Sequence, residues 1–422
     1  MSDLIEELRW RGLVAQHTDE KALSEAFEDG PVTFYCGYDP TAPSLHHGHL
    51  VQLILMRHLQ NAGHKPLALV GGATGLIGDP REVGERSMND TSIVEEWAAR
   101  LRAQIERFLD FDAEDNPARM VNNLDWTGEI SAIGLLRDLG KHFRLGTMLS
   151  KDIVARRLKS DEGISYTEFS YQILQANDYL ELFRRYGCTL QTGGNDQWGN
   201  LIGGMDLIRR VEGKGVHAMT TPVITKADGS KFGKSEGGAI WLDPAMMSPY
   251  DFYQFWLQTA DEDVVRMLKV FTFLDRERIE ELEAITAERP QAREAQRVLA
   301  AEVTRFVHGE DELQRVQAAT NALWGRGDLH EVDSETLAAA IQDLPKAEIV
   351  LGETTVIDAL VATGLEAGRK AAVRTVSSNG LSVNNVKVAD VDRVFVPEDV
   401  LAGGVVLLRK GRKTLAAAVV EA

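Results

Sequence analysis

Two small groups of residues, far apart in the chain, have the types and spacing to handle phosphate. The first is HHGH at 46 to 49, where a β-rich run gives way to a helical one. A helix amino terminus offers free backbone N–H groups and the positive end of the helix dipole, both suited to an anion. His46 and His49 stand three apart on one helical face and can donate to phosphate or ribose oxygens, while Gly48 lets a flat ligand lie against the backbone. The second group is KFGKS at 231 to 235, held between Gly229 and Gly237. Lys231 and Lys234 can surround a departing pyrophosphate and neutralise charge that builds up in the transition state. Each group has a plainer reading: the histidines as a metal pair or surface residues, the lysines as a solvated turn. The metal reading is the weaker, since no glutamate sits between the histidines in the HExxH manner and no cysteine accompanies them. Together the two groups describe one ATP site, closed from far along the chain.

A third group could choose the other substrate. Tyr171, Gln175 and Asp178 are spaced i, i+4, i+7 and so project from one face of a helix predicted over 165 to 187, with Ile173, Leu174 and Leu180 on other faces. A face turned to a core is apolar, so three hydrogen-bonding groups suit a polar ligand. Glu168 and Asn177 leave open the alternative of a solvated face. Tyr35 lies in the first strand and Asp79 at the end of a glycine loop, positions where open α/β sheets contact ligands.

The elements that must position these residues follow from periodicity. PVTFYCGY (31 to 38) reads as a strand, HGHLVQLILMRHLQNAG (47 to 63) as a helix ending at glycine, and KPLALVGGATGLIGD (65 to 79) as a buried strand running into a glycine loop. Strand, helix, strand of this size is a right-handed βαβ unit of a parallel sheet. The stretch from about 91 to 160 reads as a helical insertion, opened by TSIVEEWAARLRAQIERFLD. The sheet resumes with CTLQTGGNDQWGN (188 to 200), and TPVITKADGSKFGKSEGGAIWL (221 to 242) reads as strand, charged glycine loop, strand. From 248 to about 324 the pattern is helical, and GRGDLHEVDSE (325 to 335) is a linker candidate. Beyond Thr354 come a helix pair, an Asn-Gly turn signal in SNGLSVNNVKV (378 to 388) and a basic hairpin or strand in GGVVLLRKGRK (403 to 413). The expected fold class is α/β: a parallel-sheet nucleotide-binding domain over 1–247, an α-helical domain over 248–330, a linker over 331–353 and a small α+β module over 354–422.

Bulk properties exclude several classes. A chain of 422 residues exceeds what one core usually serves, so two or three domains are expected. The longest apolar runs, such as LVQLILM and GGVVLL, fall far short of a membrane span, and MSDLIEELRWRG lacks the features of a secretory signal. With only Cys36 and Cys188, in no metal-ligand or disulfide pattern, a reducing, cytoplasmic setting is expected. The net charge of −18 opposes a polyanionic partner, but from Arg369 onward nine Lys or Arg face five Asp or Glu, so the tail could touch nucleic acid.

The pairing of HHGH with a distant KFGKS resembles the class I aminoacyl-tRNA synthetases. More specifically, YCGYDPTAPSLHHGHL, GGATGLIGDP, YTEFSYQILQANDYL, LQTGGNDQWGN and KFGKS, in this order, resemble the bacterial tyrosyl-tRNA synthetases, and the likeness extends through SPYDFYQFW to an S4-like RNA-binding module. It implies a Rossmann-like catalytic domain, an anticodon-side helical domain, and a two-step reaction. L-tyrosine and ATP, with Mg²⁺ carried on the ATP, give tyrosyl-adenylate and pyrophosphate; the tyrosyl group then passes to tRNA(Tyr). No protein-held metal is implied. A homodimer is, through the insertion around 125 to 150.

The resemblance also assigns roles. Tyr35 and Asp178 would bind the phenolic hydroxyl; Asp79, Tyr171 and Gln175 would hold the ammonium group, with Gln197 nearby. Cys36, His49, Gly194 and Asp196 would contact the adenosine, with Gly37, Asp39 and Gly48 in the same cleft. Thr41 and His46 would stabilise the pyrophosphate, helped by Lys231, Lys234 and Arg86. Two departures stand out. After Asp79 the family commonly has a loop with a lysine and then an arginine, whereas DPREVGERS (79 to 87) is a residue shorter and has no lysine; either Arg81 substitutes or more rests on KFGKS. FGK in place of MSK keeps both lysines. Rival readings are a tryptophan-specific relative, a nucleotidyltransferase that uses no tRNA, and a binding protein that has kept only the fold. Tyr35 with Asp178 speaks against the first, the helical domain and basic tail against the second, and the intact histidines and lysines against the third.

Overall fold

In the computed structural model, which describes residues 4–81, 84, 88–227, 229, 232, 239–411 and 414–421, the runs TFYCGY and KPLALV become adjacent parallel strands. Arg86, Lys231 and Lys234 lie outside the described residues. The chain divides into two compact units, Met1–Met246 with Thr259–Leu299, and Met247–Gln258 with Ala300–Ala422.

Among the described residues the first unit holds a six-stranded sheet of β1 (Gln16–His17), β2 (Thr33–Tyr38), β3 (Lys65–Val70), β4 (Arg119–Asn122), β5 (Leu190–Gly194) and β6 (His217–Thr221). Their order is β1-β6-β5-β2-β3-β4, with every neighbour pair parallel except β1 with β6. Successive side chains of a strand point to opposite faces. Tyr38 therefore meets the His47–Asn61 helix, its hydroxyl 3.2 Å from Met56 Sδ, while Tyr35 joins a core with Leu67, Leu69, Tyr179 and Leu180 beneath the Tyr166–Tyr186 helix. That helix starts at Ser165, whose side chain accepts from the Glu168 N–H at 3.3 Å, and stops at Gly187 in the left-handed region.

The region expected to be a helical insertion contains β4, an edge strand paired with β3. Four residues between Pro117 and a polar turn gave too short a pattern to read. The stretch 221 to 242 departs from expectation as well. β6 ends at Thr221, and an isolated bridge between His46 and Trp241 stands where the second strand was expected.

The helical stretch after 248 is shared between the units. The Asp261–Phe271 helix packs with the first: Asp263 Oδ1 accepts from the Ala227 N–H at 2.9 Å, and Arg11 donates to Thr272 O at 3.0 Å and Leu274 O at 2.7 Å. The Pro249–Leu257 helix packs with the second, where Gln254 Nε2 donates to Thr320 Oγ1 at 2.9 Å.

The second unit carries β7 (Lys346–Ile349), β8 (Leu381–Val383), β9 (Val386–Val388), β10 (Val405–Lys410) and β11 (Thr414–Val420), in the order β7-β11-β10-β8-β9. The Val356–Ala362 and Arg369–Ser377 helices cover one face through Leu360 and Val376, with Phe395 from the segment before β10 in the same core. The predicted linker is packed structure: Leu329, Leu337 and Ile341 join Leu401, Val405 and Leu407 in an apolar cluster, and β7 pairs with β11. The Asn-Gly signal also has a different job. Asn379 and Gly380 end a helix, and the hairpin between β8 and β9 turns at Asn384 and Asn385, with φ of 44° and 70°.

Candidate active site

β2 has β3 on one side and β5 on the other, so the strand order reverses there; the crevice beyond the carboxyl ends of such strands is where open α/β sheets hold ligands. One end of this crevice is lined by buried polar groups. The Tyr35 ring lies 5.3 Å from Tyr179, and its hydroxyl is buried with no hydrogen-bond partner among the described residues. Burial pushes the Tyr35 phenol well above its usual range and the Asp178 charge pushes the same way, so the hydroxyl stays protonated. An unpaired buried hydroxyl costs about 1–3 kcal/mol, which a ligand oxygen placed against it would offset.

Asp178 is 2% exposed and is held by two donors, Trp126 Nε1 at 2.8 Å and Asn123 Nδ2 at 3.0 Å. Burial raises its carboxyl to about 7 against the pull of those two hydrogen bonds. Asn123 cannot flip without loss, because its Oδ1 accepts from the Ala73 N–H at 2.8 Å; Nδ2 is thereby aimed at Asp178 and at Thr74 Oγ1, 2.8 Å away. The Thr74 hydroxyl in turn donates to Asp39 Oδ1 at 2.6 Å, and the Tyr171 hydroxyl donates to Asp39 Oδ2 at 2.8 Å. A β-carbon on Gly71 would stand 1.9 Å from Asp39 Oδ1, so only glycine admits this carboxylate.

Asp79 sits in a second amide cluster. Gln197 Nε2 donates to its Oδ2 at 2.8 Å and Asn200 Nδ2 to its Oδ1 at 3.4 Å, while Asn200 Nδ2 also reaches Gln197 Oε1 at 3.1 Å. Gln175 Oε1 is buried without a partner among the described residues. The Tyr171 hydroxyl bonds Asp39, and burial, Asp39 and the charge of Asp79 together raise the phenol. The alternative of a solvated helix face is overturned: Asn177 and Glu168 are each 2% exposed, and Glu168 pairs with Arg157 at 2.9 Å.

At the other end stand the histidines. Gly48 N–H donates to His46 Nδ1 at 3.0 Å, and His46 N–H donates to His49 Nδ1 at 3.2 Å, with the two rings 4.0 Å apart. Burial lowers both imidazoles, His49 the further, and His46 adds to the fall at His49. Both are therefore neutral near pH 7, and because each Nδ1 accepts, the Nε2 nitrogens carry the protons. Gly48 is needed for a reason the sequence did not suggest: a β-carbon there would lie 2.9 Å from His46 Cε1.

The chain beyond KFGKS is stitched to the histidine turn. His47 N–H donates to Ile240 O at 2.9 Å and Leu242 N–H to Leu45 O at 2.9 Å. Phe232, the described member of KFGKS, is buried with its ring 6.1 Å from His47. Thr41 and Gly37 are exposed beside this turn, Cys36 is 2% exposed with its thiol pushed up to about 11 by burial, and Gly194 and Asp196 close the end of β5. Arg86, Lys231 and Lys234 fall outside the described residues, and Arg81 is exposed, with its carbonyl accepting from Arg157 Nη1 at 3.1 Å.

Sequence reasoning missed Thr74, Asn123, Trp126 and Asn200. The last four of NNLDW (122 to 126) follow an unread strand; had β4 been recognised, a polar run at its carboxyl end would have pointed to the crevice.

Comparison with known proteins places this geometry. The family model of tRNA synthetases class I (W and Y) matches residues 28–325, and that of the tyrosine–tRNA ligase SYY-like C-terminal domain matches residues 336–417. The chain belongs to the class I tRNA synthetases of the W and Y family. It is 59% identical over 418 residues to a tyrosine–tRNA ligase of Streptomyces avermitilis and 58% identical over 418 residues to one of Streptomyces coelicolor, covering 99% of both chains in each case. Among solved structures, a C-terminally truncated mitochondrial tyrosyl-tRNA synthetase of Aspergillus nidulans superposes with a TM-score of 0.70 at 31% identity, over 76% of this chain and 94% of that one.

Proposed function

We propose that the chain is an ATP-dependent tyrosine–tRNA ligase, which activates L-tyrosine and transfers it to the 3′-terminal adenosine of tRNA(Tyr). The observation that best supports tyrosine is the buried Tyr35 hydroxyl, unpartnered among the described residues and beside a buried Asp178. A phenol offers both a donor and an acceptor to such a pair, whereas phenylalanine would leave both protein groups unpaired. This enzyme family is the standard example of that kind of rejection.

In the first step a carboxylate oxygen of tyrosine attacks the α-phosphorus of ATP, the bond to the β-phosphate oxygen breaks, and pyrophosphate leaves. In the second, a ribose hydroxyl of the terminal adenosine attacks the adenylate carbonyl, loses its proton, and AMP departs. No side chain becomes covalently attached, so rate comes from positioning and charge stabilisation. Asp79, Tyr171 and Gln175 hold the ammonium group in our reading, with Gln197 behind Asp79. His46 and His49 donate from Nε2 to phosphate and ribose oxygens, Cys36, Gly194 and Asp196 line the adenosine, and Thr41, Arg86, Lys231 and Lys234 meet the pyrophosphate. Mg²⁺ enters with ATP on its phosphates; among the described residues no group of three or more His, Cys, Asp and Glu side chains converges to hold a metal ion.

The first unit is assigned activation and the second, with its basic tail, contact with tRNA in the manner of an S4-like module. Ile133, Leu136 and Leu145, each more than half exposed in the insertion, support a homodimer joined there. No helix among the described residues is long and apolar enough to cross a membrane; a cytoplasmic setting is part of the proposal. The test is charging of tRNA with labelled tyrosine: label should appear on intact tRNA(Tyr) and vanish when its 3′-terminal ribose has been oxidised with periodate. Label that survives oxidation would count against transfer to that ribose.

A further inference from the structure

Lys151 lies near the end of the insertion, just before the Asp152–Arg157 helix, and has no part in the roles assigned above. Its side chain lies along the Trp198–Glu212 helix where that helix is bare: a β-carbon at Gly199 would be 3.9 Å from Lys151 Cδ, and one at Gly203 would be 3.6 Å from Nζ. Nζ donates to Asn200 Oδ1 at 3.2 Å. A lysine ammonium has donors and no acceptor, so this bond fixes which end of the Asn200 amide faces it. With Oδ1 taken by lysine, Nδ2 faces Gln197 Oε1 at 3.1 Å and Asp79 Oδ1 at 3.4 Å. With Gln197 Oε1 taken by Asn200, Gln197 Nε2 faces Asp79 Oδ2 at 2.8 Å. One cation at the far end therefore sets the polarity of two amides, and both oxygens of Asp79 accept N–H groups.

We infer that Lys151 is a positioning residue for amino-acid recognition: through Asn200 and Gln197 it holds Asp79 oriented to receive the substrate's ammonium group. The inference rests on the tyrosine reading of the pocket. Burial lowers the Lys151 ammonium to about 8 while Asp79 pulls it back up, which keeps the charged form predominant near pH 7 and ties the two groups electrostatically.

Three ligands separate the possibilities: tyrosine, tyramine, which lacks the carboxylate, and 3-(4-hydroxyphenyl)propionate, which lacks the ammonium. Their dissociation constants are measured by calorimetry with the full-length protein and with Lys151→Met, Lys151→Arg and Asn200→Ala. Lys151→Met should weaken tyrosine and tyramine about tenfold or more, the scale of one hydrogen bond to a charged group, and leave the propionate within about twofold. Lys151→Arg should restore most of the loss, and Asn200→Ala should reproduce it. Equal weakening of all three ligands, weakening of tyrosine and the propionate but not tyramine, or no change would each overturn the inference. Wild-type protein that fails to bind tyrosine would overturn the ligase reading and this inference together.

Discussion

Trp126 Nε1 donates to Asp178 Oδ1 across 2.8 Å, inside a pocket where that carboxyl is 2% exposed. Asn123 supplies the second donor at 3.0 Å. Both hold the carboxyl below where burial alone would take it. Replacing either donor, Trp126→Phe or Asn123→Ala, should raise the Asp178 pKa further and raise the tyrosine KM roughly 10-fold or more, on the scale of a hydrogen bond to a charged group. Steady-state exchange kinetics at several tyrosine concentrations checks this; an unchanged KM would show that Asp178 needs neither donor.

The Asp178 carboxyl, near 4 when unfolded and about 7 when folded, also makes a stability argument. Between those values the folded chain holds a proton that the unfolded chain has released. Its favourable contribution is fully present below the lower value and is lost as pH rises through about 7. Asp178→Asn abolishes the titration. The melting temperature of that variant relative to wild type, measured without ligand from pH 4.5 to 8, should therefore climb with pH and level off above 7. A difference that stays flat would place the folded-state carboxyl near its ordinary value.

Tyr35→Phe separates stability from function. Losing a buried hydroxyl that has no partner among the described residues should stabilise the free protein by about 1 kcal/mol, seen as a melting midpoint raised by about 1–2 °C. The same change should raise the tyrosine KM and narrow the preference for tyrosine over phenylalanine. A lower midpoint would mean that the hydroxyl is already satisfied in the free chain.

Gly71→Ala tests the Asp39 pocket by volume alone. The added carbon would overlap Asp39 Oδ1 at 1.9 Å and crowd Thr74 Oγ1 at 2.4 Å, driving apart the bonds that join Tyr171, Asp39 and Thr74. Exchange activity should fall at least about 10-fold, equivalent to about 1.4 kcal/mol in the barrier. Activity within twofold of wild type would separate the Asp39 cluster from activation.

The roles of the two units can be tested without cutting the chain. Truncation at Thr354 would strip β11 from β7 and uncover Leu329, Leu337 and Ile341, so surface changes are the cleaner choice. Lys370→Ala combined with Arg374→Ala, both exposed on the Arg369–Ser377 helix, should weaken tRNA binding and flatten its dependence on salt while tyrosine-dependent exchange holds. Equal loss of charging and exchange would contradict the division of labour.

The sequence was most informative where short-range physics dominates. The His47–Asn61 and Tyr166–Tyr186 helices carry their caps and apolar spacing in the residues themselves, and the types at 35, 171, 175 and 178 announced a polar pocket. It was least informative where long-range pairing decides. Four residues of β4 become a strand because β3 lies beside them, and the Asp39 carboxylate meets Tyr171 and Thr74 only because the sheet brings together residues from three segments. Likewise Glu168 and Asn177, polar enough to suggest a wet surface, are buried by neighbours distant in the chain. The 331 to 353 stretch, entered through the polar, glycine-punctuated run before it, looked like a linker, yet its Val332, Leu337 and Ile341 fill a cluster completed more than 50 residues later.

The proposed function requires one pocket that selects tyrosine and joins it to the nucleotide site at HHGH and KFGKS. Amino-acid-dependent exchange of pyrophosphate into ATP, run without tRNA and with each amino acid in turn, tests it most directly. Tyrosine alone should stimulate exchange, with phenylalanine and tryptophan near background. Stimulation by tryptophan and not tyrosine, or by no amino acid, would contradict the account.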